Sequence, residues 1–561
     1  MKRLLAIAML SLLSACAAPL ASRQGTEPVT VGIIAINDFH GALEAPSAPV
    51  ELPDGNGGIA AVKAGGAARL ATAIDELRAK YPFNAVVSAG DLISGSPITS
   101  SLFLDEPTIG AMNRIGLDFN AMGNHEFDRG QQELLRMQNG GCERHTLRQP
   151  CAVEREFLGA KFRFLAASTF KRDGSTLFPA SAIKRFGEGK RQVTVGFIGL
   201  TLKDTDSLVP GEGIEGLTFG DEAEAINAAT ARLKEQGAAG VVVLIHQGGY
   251  ATGKADPNTC EGFDGAILPI IQRLDSRVDL VASGHTHQAY VCRLDQISRS
   301  GPLLLTSAGY YGRLVTEIAL TIDPAANRVI AAEARNLAVD RAVFAERSDI
   351  ADYVGSYARA VEGQKGRAIG KLSNGTPRPL GGTGGALGNL IADAHLAATR
   401  GAGAQIAFTN PFGIRDGLVP GTDGTVTFGQ IYAVQPFFNT LVTYTLTGAE
   451  LKAVLEQGLD GDGPDQLLAP SADFSYSFDR SRPMGQRIAR MALGGQEIDP
   501  TADYRITTNS FLAGGKDGFT MLLKGRDAVT GGSDLDALED WIGGVAIRQI
   551  PTEERVIEAK R

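Results

Sequence analysis

Absences set the first limits on this chain. It has no run of lysine or arginine, and 63 acidic residues against 54 basic ones give a formal net charge of −9. A general nucleic-acid-binding surface is therefore not expected, although a basic pocket sized for one phosphate is compatible with that balance. No stretch is long and apolar enough to span a bilayer. The cysteine spacings of zinc ribbons are missing, and no internal repeat is evident. Histidine is scarce and uneven: of seven, six lie before residue 300.

What is present divides the chain. At 561 residues it is too long for one ordinary core, and two domains are expected. Residues 1–16 read as a targeting segment. Lys2 and Arg3 precede a short apolar run, and Leu13-Ser14-Ala15-Cys16 resembles the lipobox of bacterial lipoproteins, with Cys16 as the lipidated residue. An ordinary secretory signal cut near Ala15 to Ala18 is the alternative. Either way the protein is expected outside the cytoplasm, and the lipobox reading places it in the periplasm, anchored to a bacterial membrane, the outer one favoured. Four further cysteines in an exported chain suggest disulfides. Of three possible pairings, Cys142–Cys151 and Cys260–Cys292 are favoured; the second would tie the loop after His246 to the strand after His287.

Apolar runs expected to be strands end repeatedly in ligand-type residues: Asn37-Asp38-Phe39-His40, Gly90-Asp91, Gly123-Asn124-His125-Glu126-Phe127-Asp128, His246-Gln247, and Gly284-His285-Thr286-His287. Helical stretches alternate with these runs, which predicts a layered α/β domain over 28–336. A polar helical connection follows within 337–366, and a second unit over 367–550. Strand ends are where α/β folds place their chemistry. Five histidines with Asp38, Asp91 and Asn124 make a cluster of imidazole and carboxylate without thiolate, suited to Zn²⁺, Mn²⁺ or a similar ion. Eight donors exceed one tetrahedral ion and suit two, with Asp91 the best candidate for the shared carboxylate.

In that order these motifs resemble the calcineurin-like metallophosphoesterases, and together with the second unit they resemble the bacterial 5'-nucleotidase / UDP-sugar hydrolase family. The resemblance implies a four-layer α/β/β/α metallophosphoesterase domain, joined by a helical linker to a smaller α/β substrate-binding domain that rotates relative to it. It implies two divalent metal ions (Zn, Mn or Co): one on Asp38, His40, Asp91 and His287, the other on Asp91, Asn124, His246 and His285. Many family members have Gln or Asn where this chain has His287. His125 is implied as the catalytic imidazole, oriented by Asp128, for in-line attack on phosphorus without a covalent enzyme intermediate.

The same resemblance assigns substrate contacts to Asn124, Asn410 and Arg415, with Arg378 as a second guanidinium. It assigns a base sandwich to Phe437 and Phe511, and ribose hydroxyls to Asp517. Phe438 stands where the family is often small. The glycine run 381–388 lacks the signature of a phosphate loop, Asp460-Gly-Asp462-Gly reads as a turn, and His395 and His145 read as structural or solvent-facing. The implied activity is removal of phosphate from 5'-nucleotides, with UDP-sugars as further substrates, by a chain for which a monomer is favoured. The alternatives are a 2',3'-cyclic-nucleotide 2'-phosphodiesterase/3'-nucleotidase, a thiosulfohydrolase relative and a non-catalytic nucleotide-binding protein.

Overall fold

The computed structural model describes residues 27–146, 148–209, 211–253, 255–294, 303–379, 382–459 and 465–559. The targeting segment with Cys16 lies outside the described residues, as do Gly381 and residues 460–464, where the sequence suggests a turn.

Strand Val29–Ile36 shows how the first unit is layered. Val31, Ile33 and Ala35 point into a core between two sheets, while Ile34 and Ile36 point into a core on the helical side. This two-residue alternation of apolar side chains is what a strand buried on both faces requires. In the first six-stranded sheet, Val29–Ile36, Asn84–Ser88, Phe119–Ala121 and Arg163–Leu165 run parallel, with antiparallel Leu314–Asp323 and Arg328–Ala338 at one edge. In the second, Val193–Thr201, Gly240–His246, Leu280–Ser283 and Leu304–Ala308 run parallel between antiparallel Ser181–Phe186 and Ala289–Arg293. Helices Ala67–Lys80, Glu106–Ile115 and Gly130–Asn139 cover one outer face, and Glu222–Glu235 and Ile267–Gln272 the other. The four layers α/β/β/α are those the sequence led us to expect. The hairpin Val50–Pro53 with Ile59–Val62, and the edge strand running to Ala338, are additions to that reading.

The connection between the units is not simply polar. Helix Ser348–Lys365 buries Ile350, Tyr353, Val354, Tyr357 and Val361, a stripe at helical spacing. Burying each such side chain contributes about 1.5–3 kcal/mol. The hydroxyls of Tyr353 and Tyr357 donate to the Glu154 carboxylate at 3.3 and 3.2 Å, and Lys365 pairs with Glu44 at 2.6 Å. The helix is thus docked on the first unit, and a rotation of the second unit would turn about the chain after Lys365.

The second unit is built on a five-stranded sheet in the order Ala469–Pro470, Ile406–Thr409, Asp503–Asn509, Thr440–Thr447 and Arg526–Ser533. It extends past the expected boundary at 550, because strand Val556–Glu558 pairs with Phe474–Phe478 and buried Arg555 bonds Asp393 at 2.6 Å. That strand has only three residues, too few for periodicity to give a signal.

One buried carboxylate here yields a stability prediction. Asp534 begins helix Asp534–Gly543 and is 2% exposed. One of its oxygens has no hydrogen-bond partner, and the other accepts from Asn439 at 3.2 Å. Burial, eased by Asn439, pushes its pKa up to about 7, whereas an unfolded Asp titrates near 3.9. As pH rises the unfolded state ionises first, so stability is lost between about pH 4 and 7. Asp534→Asn should gain roughly 2–4 kcal/mol over the parent at pH 7.5 and little at pH 4, read as urea midpoints at the two pH values. A gain independent of pH would show that the carboxyl's ionisation is not the cause.

Candidate functional site

The carboxyl ends of the parallel strands in both sheets open onto one place. Val29–Ile36 delivers Asp38 and His40, Asn84–Ser88 delivers Asp91, and Phe119–Ala121 delivers Asn124 and His125. From the facing sheet, Gly240–His246 brings His246, and Leu280–Ser283 brings His285 and His287. Such convergence follows from the topology, because backbone strand ends lie outside the packed layers. The turns are unusual. Asp38, His40, Asp91, His285 and His287 all have positive φ, between 45° and 73°, which non-glycine residues adopt only at an energetic cost. Close approach also explains Gly123: a Cβ there would lie 2.1 Å from Asp91 Oδ1.

The donors meet at ligand distances. Asp91 Oδ2 is 3.0 Å from His246 Nε2 and 3.6 Å from His40 Nε2, and Asp38 Oδ1 is 3.4 Å from His287 Nε2. His285 Nδ1 is 3.1 Å from Asn124 Oδ1. Hydrogen bonds at the far nitrogens decide how the rings present themselves. His40 Nδ1 donates to the Ser94 carbonyl at 2.9 Å and His246 Nδ1 to that of Ala89 at 2.8 Å, leaving both Nε2 atoms facing inward. His246 Nε2 is buried and has no partner with hydrogen-bond geometry. Burial, with the Arg415 charge, holds His40 and His287 well below the ordinary histidine pKa, and burial with the neighbouring His246 pushes His285 down to about 3. These three imidazoles are therefore neutral and keep their lone pairs. His246 differs from these three: burial opposes its protonation, but the facing Asp91 and Asp38 carboxylates outweigh burial and raise it to about 10, so a cation taking its Nε2 would displace a proton. This buried set of imidazoles and carboxylates fits divalent cations, and groups drawn from Asp38, His40, Asp91, His246 and His287 have the spacing to hold them.

Beside this cluster, His125 Nδ1 bonds Asp128 Oδ2 at 2.7 Å and the His125 amide donates to Asp91 Oδ1 at 2.9 Å. Burial pushes the imidazole's pKa down, but the Asp128 and Asp91 charges outweigh it and hold it above the ordinary value. Glu126 clamps the assembly: its carboxylate accepts the amides of Asp91, Leu92 and Gly123 at 2.9, 2.8 and 2.6 Å. The sequence singles out Glu126 as part of a motif without showing this role, since Asp91 is 35 residues away.

From the second unit, Arg415 brings Nη2 to 3.0 Å from His40 Nε2, and its buried Nε has no hydrogen-bond partner. Phe437 stacks on the His125 ring, centroids 5.6 Å apart at 12°, whereas Phe511 lies half-buried on helix Ser510–Ala513. Asp517, raised to about 6 by burial, accepts from Asn410 at 2.8 Å. Arg378 donates from Nε to the Ile414 carbonyl at 3.1 Å, next to Arg415. A cavity of about 520 Å³ between the units is bounded by Asp128, Arg129, Arg148, Phe437 and Phe438. Phe438 is turned out toward Arg148, whose guanidinium lies 4.6 Å from the ring centroid. The Cys142–Cys151 and Cys260–Cys292 sulfurs are bonded, with Cα separations of 5.7 and 5.0 Å. His395 is fully buried on helix Gly385–Thr399, away from the cluster, and His145 lies in the Cys142–Cys151 loop.

Two residues at the site escaped the sequence reading. Tyr310 stacks on His287, and the Tyr311 hydroxyl donates to the Arg415 carbonyl at 3.2 Å. They follow strand Leu304–Ala308, so the strand-end pattern that found the other residues also pointed to them.

Comparison with known proteins agrees with this arrangement. Residues 32–289 match the family described as calcineurin-like phosphoesterase, and residues 367–524 match the 5'-nucleotidase, C-terminal domain. The chain is 30% identical over 529 residues to Endonuclease YhcR of Bacillus subtilis, covering 92% of this chain and 40% of that protein. It is 26% identical over 587 residues to a 5'-nucleotidase of Vibrio vulnificus, covering 96% and 95%. The crystal structure of a 5'-nucleotidase precursor from Thermus thermophilus superposes with a TM-score of 0.77 at 26% identity, covering 95% of this chain and all of that one.

Proposed function

The chain belongs to the calcineurin-like phosphoesterases that carry a 5'-nucleotidase C-terminal domain, a family of phosphoric monoester hydrolases, and we propose that it removes the phosphate of 5'-nucleotides. The observation that carries this reading is Arg415 of the second unit reaching His40 of the strand-end cluster at 3.0 Å. A phosphate lying between the two units would meet donors from both.

Asp38, His40, Asp91 and His287 would hold one divalent ion, and Asp91, Asn124, His246 and His285 the other. When bound, such ions polarise the phosphoryl oxygens and supply a water nucleophile at neutral pH. The protein does the rest. Arg415 offers a planar fork with a free Nε–H to phosphate oxygens. His125, kept protonated by Asp128, stabilises charge on the transferring group or gives its proton to the leaving oxygen. Phe437 and Phe511 supply aromatic faces for a base, worth roughly 1–3 kcal/mol each by stacking. Asp517, fixed by Asn410, accepts from ribose hydroxyls. The 520 Å³ cavity beside Asp128 offers room for the sugar of a UDP-sugar.

The protein acts outside the cytoplasm in this reading. The signal-like first sixteen residues and two disulfides support it, and Cys16 supports a lipid anchor. Among the described residues no helix is long and apolar enough to cross a membrane.

The test is hydrolysis by the purified chain without residues 1–16, chelated and then given Mn²⁺, Zn²⁺ or Co²⁺, read as free phosphate and as chromatographically separated products. AMP, 3'-AMP, 2',3'-cyclic AMP, UDP-glucose and single-stranded DNA would be compared. Metal-dependent turnover fastest on AMP, with adenosine and phosphate as products, is expected. Preference for the cyclic or 3' substrate, or for DNA, would move the substrate assignment while leaving the metal chemistry in place.

A further inference from the structure

We propose that Tyr310 is a positioning residue whose aromatic ring serves both units at once, bracing His287 on the catalytic side and seating Arg378 on the substrate side. The inference rests on reading His287 as a metal ligand and Arg378 as a phosphate contact.

The ring of Tyr310 stacks on the His287 imidazole with centroids 4.8 Å apart and planes at 19°. The Arg313 guanidinium lies 3.9 Å from the Tyr310 centroid and that of Arg378 5.4 Å from it. Arg313 comes from the first unit, three residues on, and Arg378 from the second. Stacking limits rotation of the His287 ring and so fixes where Nε2 points, 3.4 Å from Asp38 Oδ1. The cation–π contact holds Arg378 where its Nε meets the Ile414 carbonyl at 3.1 Å, beside Arg415. The next residue extends the link, since the Tyr311 amide donates to the Asp38 carbonyl at 2.8 Å and its hydroxyl to the Arg415 carbonyl at 3.2 Å.

Tyr310 packs in part against the core on the helical side, but packing alone does not explain its contacts with His287, Arg313 and Arg378. It is only half-buried, and with His287 and Arg313 it borders a cavity of about 180 Å³. A flat π-face suits the neighbouring imidazole, and the two guanidiniums meet the phenol as well as the ring: against burial, which raises it, the Arg313 and Arg378 charges lower the Tyr310 hydroxyl's pKa.

The test separates ring from volume. Tyr310→Phe keeps the flat face, and Tyr310→Leu and Tyr310→Met keep bulk without it. Mn²⁺ binding is titrated calorimetrically on the chelated protein, and KM and kcat for AMP are measured at saturating Mn²⁺. The Leu and Met variants should bind Mn²⁺ about 10-fold more weakly at one of the two sites, the one His287 would serve, and show KM raised about 5-fold with kcat nearly unchanged. Tyr310→Phe should match wild type in Mn²⁺ binding and raise KM less than the Leu and Met variants do, the remainder being what the hydroxyl adds at Arg378. Leu and Met variants indistinguishable from wild type, or a Phe variant as weak as they are, would overturn the proposal. The Mn²⁺ titration does not depend on the substrate. A wild-type protein inert toward AMP would therefore sink the 5'-nucleotide reading and still leave the role of Tyr310 at His287 decided.

Discussion

Asp91→Asn is expected to lower kcat/KM for AMP by at least about 10³-fold, since a bound metal ion supplies several kcal/mol of charge stabilisation and each 1.36 kcal/mol is tenfold in rate. The substitution is chosen to spare the structure. Asp91 sits at φ 50°, and Asn tolerates that region as well as Asp does. Its side-chain oxygen can still accept the His125 amide, which meets Asp91 Oδ1 at 2.9 Å. What is removed is the negative charge at Oδ2, 3.0 Å from His246 and 3.6 Å from His40. In the proposed ligand sets that carboxylate is the shared donor, so metal content measured after chelation and reloading should fall below one equivalent. A variant that keeps two equivalents and works within tenfold of wild type would show that Asp91 does not bridge.

Much of this arrangement was legible in the sequence because it obeys a simple rule. An apolar run long enough to be a buried strand was followed five times by side chains with lone pairs, and all seven residues singled out as metal ligands lie in the strand-end cluster. The rule was applied to ligand chemistry, however, and so passed over Leu304–Ala308, which ends in Tyr310 and Tyr311. An aromatic ring that braces a ligand carries no ligand signal of its own. Glu126 escaped for a related reason, because its partners are backbone amides, which no side-chain pattern advertises. The linker helix was placed by its polarity, although Ile350, Tyr353, Val354, Tyr357 and Val361 have the spacing of a docked face. In the second unit the sequence identified aromatic residues but not their facing partners. Phe437 lies against His125, and Arg415 reaches His40. Both contacts join residues more than 300 positions apart and depend on how the units close, which local pattern does not encode.

His125→Ala should cut kcat by about 10²–10⁴-fold, the range for a positioned general acid, while metal content and KM for AMP stay near wild type. Metal content is the decisive half of this prediction. A ring nitrogen of His125 lies close enough to His40 and Asp91 to make a third possible ligand group. Its Nδ1, however, is held by Asp128 at 2.7 Å, and Phe437 stacks against the ring. Loss of a metal equivalent from His125→Ala would therefore reassign it as a ligand. The acid role also fixes the sign of a pH effect. Burial opposes protonation, and the Asp128 and Asp91 charges overcome it and raise the His125 pKa. A group that must be protonated loses activity as pH rises through its pKa, so a raised pKa extends the active range toward alkaline pH. Bound cations would cancel much of the Asp91 charge and leave Asp128 as the principal support. Asp128→Asn should then shift the alkaline limb of the kcat profile to lower pH, with the plateau at acid pH largely kept. A limb that stays in place would mean that another group sets it, and that Asp128 orients His125 without holding its proton.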